Sequence, residues 1–173
     1  MSRQRLIIFE GSDGSGKSTL IKKLTSVVPN NYIVNHNGVY KSREVAFAAY
    51  NSQLNTPPDS QLLLDRSYIS ELIYGNVIRG EDNSKIKKEV SKLEERINLY
   101  YKPLVVFCNP PLETVLNTWE GRTVDEYVKR KEKITQIYNE YQLIDKYTSL
   151  PIVEFDYTDI QNSYLALIRE LIK

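Results

Sequence analysis

Short apolar runs alternate along the chain with segments whose apolar residues recur at helical spacing. Five of these runs have the length and apolar content of strands buried in a parallel sheet. They are residues 6–9, 32–34, 62–64, 104–107 and 152–155. Because a helical pattern follows each run, the chain predicts a repeated strand and helix order and an α/β fold.

The helical segments are predicted near residues 17–24, 44–50, 68–78, 84–101 and 112–119, with a closing amphipathic helix that carries Leu165, Leu167, Ile168, Leu171 and Ile172. The segment 84–101 has an apolar stripe that is predicted to face inward, formed by Ile86, Val90, Leu93, Ile97 and Tyr100. Pro103 is predicted to end this helix. Ser70 and Tyr74 lie four residues apart on the 68–78 helix and therefore share a face.

The composition is that of an ordinary soluble globular domain. The 173 residues are 41% hydrophobic and 26% charged, so residues 1–173 are expected to form a single domain with a sizeable core. The net charge of +1 gives no overall field that favours nucleic acid or a membrane as a partner. A single cysteine, Cys108, excludes an internal disulfide framework, and no apolar run suits a signal peptide or a membrane helix. A cytoplasmic protein is expected.

Residues 11–18 fit the phosphate-binding loop pattern G-x-x-x-x-G-K-[ST] at every required position, between a predicted strand and a predicted helix. Backbone N–H groups and a helix N-terminus predict binding of the phosphates of ATP, with Lys17 at the outer phosphates and the Ser18 hydroxyl on the accompanying Mg²⁺. The predicted phosphate-binding residues are Gly11, Gly14, Ser15, Gly16, Lys17, Ser18 and Thr19. The alternative is a glycine-rich turn with a solvated lysine.

Asp65 and Arg66 follow directly on the apolar run 62–64. Since the carboxyl ends of parallel strands face one crevice, both side chains are predicted to lie beside the phosphate loop. A carboxylate there can hold a metal-bound water, which makes Asp65 a candidate metal and catalytic residue, while Arg66 supplies a catalytic cation. The alternative is that the two residues neutralise each other or cap the next helix.

The segment after the second predicted strand is polar and basic. His36, the only histidine, is predicted to lie in a turn, with a place in the acceptor pocket as the alternative. Tyr40, Lys41 and Arg43 follow it, and a cation there is a candidate for binding a second phosphate. A solvated basic turn is the competing interpretation.

Thr123 and Glu126 form a capping box that predicts a further helix, whose basic residues are Lys129, Arg130, Lys131 and Lys133. Arg122 lies on the turn before this box. A cation on a mobile turn near a phosphate loop predicts a lid, with Arg122 as its catalytic residue and Arg130 as the next candidate. The alternative is a solvated charged face.

Residues 9–20 closely resemble the start of thymidylate kinases, in which F-E-G-x-D-x-x-G-K-[ST]-T-L is characteristic. Residues 65–70 together with Tyr74 resemble the D-R-Y-x-x-S-x-x-x-Y segment of that family. The resemblance implies a P-loop nucleotide kinase fold with three layers, in which helices flank a five-stranded parallel sheet. It implies transfer of the γ-phosphoryl group of ATP to a deoxynucleoside monophosphate, thymidylate above all, with Mg²⁺ as cofactor.

The same resemblance implies roles for the acceptor-binding residues. Asp13 would contact the sugar 3′-hydroxyl, and Arg66 the acceptor phosphate. Ser70 and Tyr74 would lie at the base end of the pocket, and Arg43 would be a further acceptor-binding cation by its position in the basic segment. Family members often form homodimers through helices that flank the sheet, although the apolar stripe on 84–101 fits a core position equally well.

The chain departs from the family at several places. Gly14 stands where one type of thymidylate kinase carries a loop arginine, which leaves Arg122 as the charge-stabilising cation. Gly75 replaces the usual glutamine near the base, and residues 39–43 lack the T-R-E-P-G-G sequence. With Ser67 after Arg66, residues 65–67 resemble the E-R-S segment of deoxynucleoside kinases. Base choice therefore stays open. The alternative to a monophosphate as acceptor is a free deoxynucleoside or a modified base in DNA, for which Asp65 is the candidate general base. A non-catalytic nucleotide switch is the most distant alternative.

Overall fold

The computed structural model describes residues 3–27, 32–55, 60–120, 128 and 130–172. Its sheet consists of β1 (Gln4–Glu10), β2 (Tyr32–His36), β3 (Gln61–Asp65), β4 (Tyr101–Cys108) and β5 (Ile152–Phe155). All neighbouring strands pair in parallel, in the order β2-β3-β1-β4-β5. The predicted five-stranded parallel sheet is confirmed, and β1, which leads into the phosphate loop, lies at its centre.

The α-helices of the described residues are α1 (Lys17–Val27), α2 (Arg43–Gln53), α3 (Tyr68–Arg79), α4 (Lys87–Tyr100), α5 (Leu112–Glu120), α6 (Lys131–Tyr141) and α7 (Ile160–Ile172). Short 3₁₀ turns occupy Asn83–Ile86, Ile144–Lys146 and Tyr157–Asp159. Helix α3 has clear end signals, because the Ser67 side chain accepts a hydrogen bond from the Ile69 N–H and Gly80 closes the helix at a φ of 66°. None of the described helices is long and apolar enough to cross a membrane.

Apolar side chains cover both faces of the sheet and form two cores. Successive residues of a strand point to opposite faces, so Leu6 and Ile8 join one core while Ile7 and Phe9 join the other. The first core contains buried residues of α2, α3, α4, α5 and α6, and the second those of α1 and α7. The result is the three-layer α/β arrangement that the family resemblance implied.

The junction between α4 and β4 differs from the prediction. Helix α4 ends at Tyr100, and β4 begins at the next residue, so Pro103 lies inside a strand instead of ending a helix. The strand tolerates the proline because no hydrogen bond is required at its nitrogen. Val105 donates its N–H toward β5, to the Pro151 carbonyl oxygen, and the nitrogen of Pro103 faces the same side of β4. Strand β5 pairs with β4 only from Val105 onward, so it has not yet begun at Pro103. Tyr100 is 60% exposed, and the predicted inward stripe on α4 is therefore wrong at this residue.

Three other local predictions need correction. His36 is the last residue of β2 and pairs with β3, so it is not a turn residue. Helix α6 begins at Lys131, and Arg130 before it has extended backbone, so Arg130 does not lie on the helix as predicted. The capping box itself lies outside the described residues. Along α7, Leu167 is buried as expected, whereas three further apolar residues of the predicted face are exposed: Leu165, Ile168 and Ile172.

Candidate active site

The phosphate loop connects the end of β1 to the start of α1 by a tightly curled backbone. Gly11, Gly14 and Gly16 have φ values of 144°, 86° and 86°, a region that residues with a Cβ rarely adopt. A Cβ on Gly16 would lie 2.8 Å from the ring of Tyr157, and one on Gly14 would lie 2.8 Å from the Val115 carbonyl oxygen. Glycine is therefore required at both positions for the loop to pack against its surroundings.

Lys17 is buried inside this loop. Its ammonium group donates to the carbonyl oxygens of Gly11 and Ser12 at 2.9 and 2.8 Å and to Ser15 Oγ at 3.4 Å. Burial lowers the pKa of Lys17 to about 8, and the nearby Arg66 adds to this effect. A lysine in this state gains from a ligand that brings negative charge close to it.

Ser18 and Asp65 come together across the site. Ser18 Oγ donates to Asp65 Oδ2 at 3.3 Å, and His36 Nδ1 lies 2.9 Å from the same oxygen. A hydroxyl and a carboxylate are the oxygen ligands that Mg²⁺ prefers, so both residues fit the predicted metal site. Among the described residues no group of three or more His, Cys, Asp or Glu side chains could hold a metal by itself. Nucleotide phosphates and water would have to complete the coordination, as is usual for Mg²⁺ in kinases.

Arg66 is held by its backbone as well as by its side chain. It has a φ of 71°, its N–H donates to the Phe9 carbonyl at 3.0 Å, and its carbonyl accepts from Asn37 Nδ2 at 2.7 Å. The guanidinium forms an ion pair with Asp13 and lies 4.9 Å from the centre of the Tyr74 ring. The Tyr74 hydroxyl donates to Asp13 at 3.0 Å, so the loop carboxylate joins the two residues of the β3–α3 segment.

These groups surround one cavity of about 200 Å³. Its lining residues are Asp13, Gly14, Gly16, Lys17, Ser18, Thr19, Asp65 and Arg66. Ser15 and Gly11 are buried within the loop itself, where Ser15 Oγ and the Gly11 carbonyl accept from Lys17. The structure thus brings the two predicted segments, the phosphate loop and the end of β3, to one site.

Ser70 is buried next to Glu10, and its role at the base end of a pocket stays a prediction. Its buried hydroxyl donates to Glu10 Oε2 at 2.5 Å and lies 2.7 Å from the Tyr141 hydroxyl. Glu10 also accepts from the N–H and hydroxyl of Ser67 at 2.8 and 2.7 Å and from Tyr141 at 3.0 Å. Burial raises the pKa of Glu10 above its usual value of 4.5. Ser70 therefore helps to satisfy a buried carboxylate beneath the site.

Arg43, the first residue of α2, directs its side chain away from the phosphate loop and toward the residues that follow α3. Its guanidinium pairs with Glu81 at 2.8 Å and donates to Asn83 Oδ1 at 2.8 Å. Gly75 makes room for this contact, because a Cβ there would lie 2.6 Å from Arg43 Nη2. Arg43 does not line the 200 Å³ cavity, so its role in acceptor binding stays a prediction. Arg122, the predicted lid cation, lies outside the described residues.

A second cavity, of about 350 Å³, adjoins the loop on the side of β5. Gly14, Gly16 and Thr19 line both cavities, and the outer walls of this one come from Thr118, Phe155, Tyr157, Ile160 and Tyr164. The Tyr157 hydroxyl lies 3.3 Å from Thr118 Oγ1. Sequence reasoning missed this cavity, as it missed Glu10 and the contact between His36 and Asp65. Only the position of Glu10 at the end of a strand, directly before the loop, gave a usable signal.

No protein-family model matches the chain, and no curated protein sequence matches it significantly. Solved structures do match. YorR from Bacillus subtilis, in complex with phosphorylated GDP, is 20% identical with a TM-score of 0.72, over 96% of this chain and 94% of that chain. Deoxyadenosine kinase from M. mycoides with bound dCTP is 14% identical with a TM-score of 0.66, over 96% and 98% of the two chains. Polyphosphate kinase 2 from Arthrobacter aurescens is 14% identical with a TM-score of 0.61, over 99% of this chain and 67% of that chain.

These likenesses are to proteins that are at most 20% identical, so they establish the fold and not the substrate. The match extends over 96% of this chain in both YorR and deoxyadenosine kinase, so it includes the parallel sheet and the helices on both of its faces. The chain has the three-layer α/β fold of P-loop nucleotide kinases.

Proposed function

We propose that this protein transfers the γ-phosphoryl group of ATP to a deoxynucleoside monophosphate, with thymidylate as the first acceptor to test. One observation carries the proposal: the phosphate loop, the Ser18 and Asp65 oxygens, and the pair of Asp13 with Arg66 line a single cavity of about 200 Å³. A site for a triphosphate alone has no need of Arg66 across from the loop or of the Asp13 carboxylate within it. Both groups suit a second substrate with a phosphate and a sugar hydroxyl.

The residues can share the chemistry of phosphoryl transfer, which consists mainly of positioning and of stabilising spread negative charge. Lys17 places its charge at the triphosphate, and the fork of Arg66 can bind two oxygens of an acceptor phosphate at once. Asp13 can accept a hydrogen bond from the sugar. Mg²⁺, held by Ser18 and Asp65, would neutralise charge on the triphosphate. An acceptor phosphate is already ionised at neutral pH, so this reaction requires no general base.

The second cavity suits the base of the donor nucleotide. It shares Gly14, Gly16 and Thr19 with the phosphate site, and its remaining walls are largely aromatic and apolar. A purine that stacks on Tyr157 would have its triphosphate directed into the loop. The acceptor would then approach from the side of Arg66.

A free deoxynucleoside is the second candidate acceptor. Deoxyadenosine kinase is similar to this chain along 98% of its own length, and Ser67 caps α3 directly after Asp65 and Arg66. A hydroxyl acceptor needs a general base, and Asp65 lines the cavity where that hydroxyl would lie. A hydroxyl on a modified base in DNA would make the same demand.

An acceptor screen tests the proposal. The protein is incubated with ATP and Mg²⁺, and ADP release is measured with each deoxynucleoside monophosphate, each deoxynucleoside and DNA that carries a hydroxymethylated base. We expect turnover with a monophosphate and loss of all turnover in Lys17→Met. Turnover with nucleosides or DNA only would select the second candidate. Tight ATP binding with no turnover on any acceptor would overturn the kinase proposal in favour of a nucleotide switch.

Arg66→Ala tests the placement of the acceptor. Losing a charge-assisted hydrogen-bonding group costs about 1.5 to 3 kcal/mol, so we expect KM for the acceptor to rise roughly 10- to 100-fold. KM for ATP should change far less, because the loop that binds it is unaltered. Arg66→Lys keeps the charge without the fork, so its KM for the acceptor should lie between that of the wild type and that of Arg66→Ala. An equal rise in both KM values would contradict the assignment of Arg66 to the acceptor.

A further inference from the structure

His36 lies beside the carboxylate that we assign to the metal site. It is the last residue of β2, and the strand register places it directly opposite Asp65 on β3. Its Nδ1 lies 2.9 Å from Asp65 Oδ2, although the His36 side chain is 65% exposed and the Asp65 side chain only 12%. The imidazole is therefore not held there by burial in a core. Its directed contact within the described residues is the one to Asp65.

The direction of this hydrogen bond follows from the chemistry of the two groups. An ionised carboxylate has no proton to donate, so Nδ1 of His36 carries the hydrogen and Asp65 Oδ2 accepts it. Ser18 Oγ donates to the same oxygen at 3.3 Å. Two donors thus converge on Oδ2 from different elements, the end of β2 and the start of α1, and together they set the orientation of the carboxylate.

The backbone alone already holds β2 against β3 at this point. The two strands pair from Tyr32 with Gln61 to His36 with Asp65, and the Asn37 N–H donates to the Asp65 carbonyl oxygen at 2.9 Å. Asn37 also donates through its side chain to the Arg66 carbonyl oxygen at 2.7 Å. The strand end is therefore fixed without the imidazole, which leaves the Asp65 side chain as the group that His36 controls.

We propose that His36 is a positioning residue for the Mg²⁺ site: it holds the Asp65 carboxylate in the orientation that receives the metal or a metal-bound water. This inference rests on the proposed function, because that function assigns the metal to Ser18 and Asp65. Groups that hydrogen-bond to a metal-ligating carboxylate commonly change metal affinity by about 10- to 100-fold when they are removed. In this role His36 acts on the metal through its contact with Asp65.

The experiment compares His36→Phe, which has no donor, with His36→Asn, whose side-chain N–H₂ occupies nearly the place of Nδ1. Mn²⁺ replaces Mg²⁺ as a paramagnetic probe, and its binding to the complex with a non-hydrolysable ATP analogue is measured by electron paramagnetic resonance. We expect the Mn²⁺ Kd to rise about tenfold or more in His36→Phe and to return close to the wild-type value in His36→Asn. Binding of the analogue without metal should be unchanged in both variants.

Asp65→Ala separates the two ways in which the idea can fail. If Asp65→Ala weakens Mn²⁺ binding and His36→Phe does not, the inference on His36 is wrong and the proposed metal site stands. If Asp65→Ala binds Mn²⁺ like the wild type, the proposed metal site is wrong as well. Equal losses in His36→Phe and His36→Asn would show that the strand end, and not the hydrogen bond, is what matters, and would also overturn the inference. Thermal unfolding of each variant verifies the fold, with His36→Ala as the substitute should His36→Phe not fold.

Discussion

At the scale of single residues, Lys17 shows how burial in the phosphate loop changes the pKa of a lysine. Its ammonium group is buried and donates hydrogen bonds to carbonyl and hydroxyl oxygens of the loop, within 2.8 to 3.4 Å. These partners carry partial charges, so they replace water incompletely, and the pKa of Lys17 falls to about 8 as a result. A bound triphosphate would bring further negative charge close to this ammonium group.

Proton uptake on ATP binding is the measurable result. Lys17 is largely neutral in the free protein above its pKa of about 8, and the phosphates favour its charged form, so binding must take up a proton there. ATP affinity should therefore weaken as the pH rises through that pKa. Calorimetric titration at about pH 9, in two buffers of different ionisation enthalpy, should give an uptake that approaches one proton.

Lys17→Met is the matched control for this titration, since it keeps the length of the side chain without a proton to bind. It should bind ATP more weakly and take up no proton. The same uptake in the variant as in the wild type would assign the proton to another group.

At the scale of elements, Glu10 joins three pieces of the fold below the site. Its carboxylate ends β1 and accepts hydrogen bonds from the start of α3, through Ser67 and Ser70, and from the end of α6, through Tyr141. The position of Arg66 depends on this arrangement, because Arg66 lies directly between β3 and α3. A buried carboxylate with four donors thus ties the start of α3 and the end of α6 to β1.

Glu10→Ala and Glu10→Gln are expected to differ strongly in stability. Alanine leaves the buried Ser67 N–H without an acceptor, which costs about 3 kcal/mol in the free energy of unfolding. Glutamine keeps one carbonyl oxygen for that N–H, and the hydroxyls can turn to accept from its amide, so the expected cost is about 1 kcal/mol. Urea unfolding of both variants measures the difference.

The pH dependence provides a second check on Glu10. Burial raises its folded-state pKa above 4.5, so the stability linked to its bound proton is present at low pH and is lost as the pH rises through the folded-state value. The wild type should therefore lose stability relative to Glu10→Gln over that interval. A constant difference between the two proteins would contradict the raised pKa.

The turn between β5 and α7 lines the second cavity, which we propose for the base of the donor nucleotide. We expect Tyr157→Ala to raise KM for ATP about tenfold with little change in kcat, because stacking of a base on an aromatic ring contributes about 1 to 3 kcal/mol. Tyr157→Phe keeps the ring and loses only the hydroxyl that lies 3.3 Å from Thr118, so it should behave nearly like the wild type. Steady-state kinetics with varied ATP measures both. An unchanged KM for ATP in Tyr157→Ala would show that the base does not bind in this cavity.

At the scale of the whole molecule, the two cores share one sheet and should unfold together. Phe9 is fully buried in the core that contains α1 and α7, whereas Trp119, the only tryptophan, packs against the core on the opposite face. We expect Phe9→Ala to cost about 3 to 5 kcal/mol and to shift the urea transition of Trp119 fluorescence together with that of far-ultraviolet circular dichroism. Ile8→Ala is the control on the tryptophan side. A Trp119 transition that stays in place in Phe9→Ala would show that the faces unfold separately.

The sequence allowed prediction of whatever depends on neighbours in the chain. The phosphate loop has its required residues within eight consecutive positions, and a short apolar run indicates each strand. The contacts of Glu10 with Ser70 and Tyr141, by contrast, span 60 and 131 residues, and that of His36 with Asp65 spans 29. They depend on which strands and helices become neighbours, and no local pattern encodes that. Pro103 was misassigned for the same reason, because its place in β4 depends on where β5 begins to pair.

The environment of Cys108 also makes the molecule convenient for spectroscopy. The thiol is buried at the end of β4, and desolvation raises its pKa to about 12, so almost none of it is in the reactive thiolate form near neutrality. A dye or spin label that reacts with thiolates should ignore it in the native protein. A cysteine introduced at an exposed position, for example in place of Leu99 on α4, can therefore be labelled selectively in an otherwise unaltered chain.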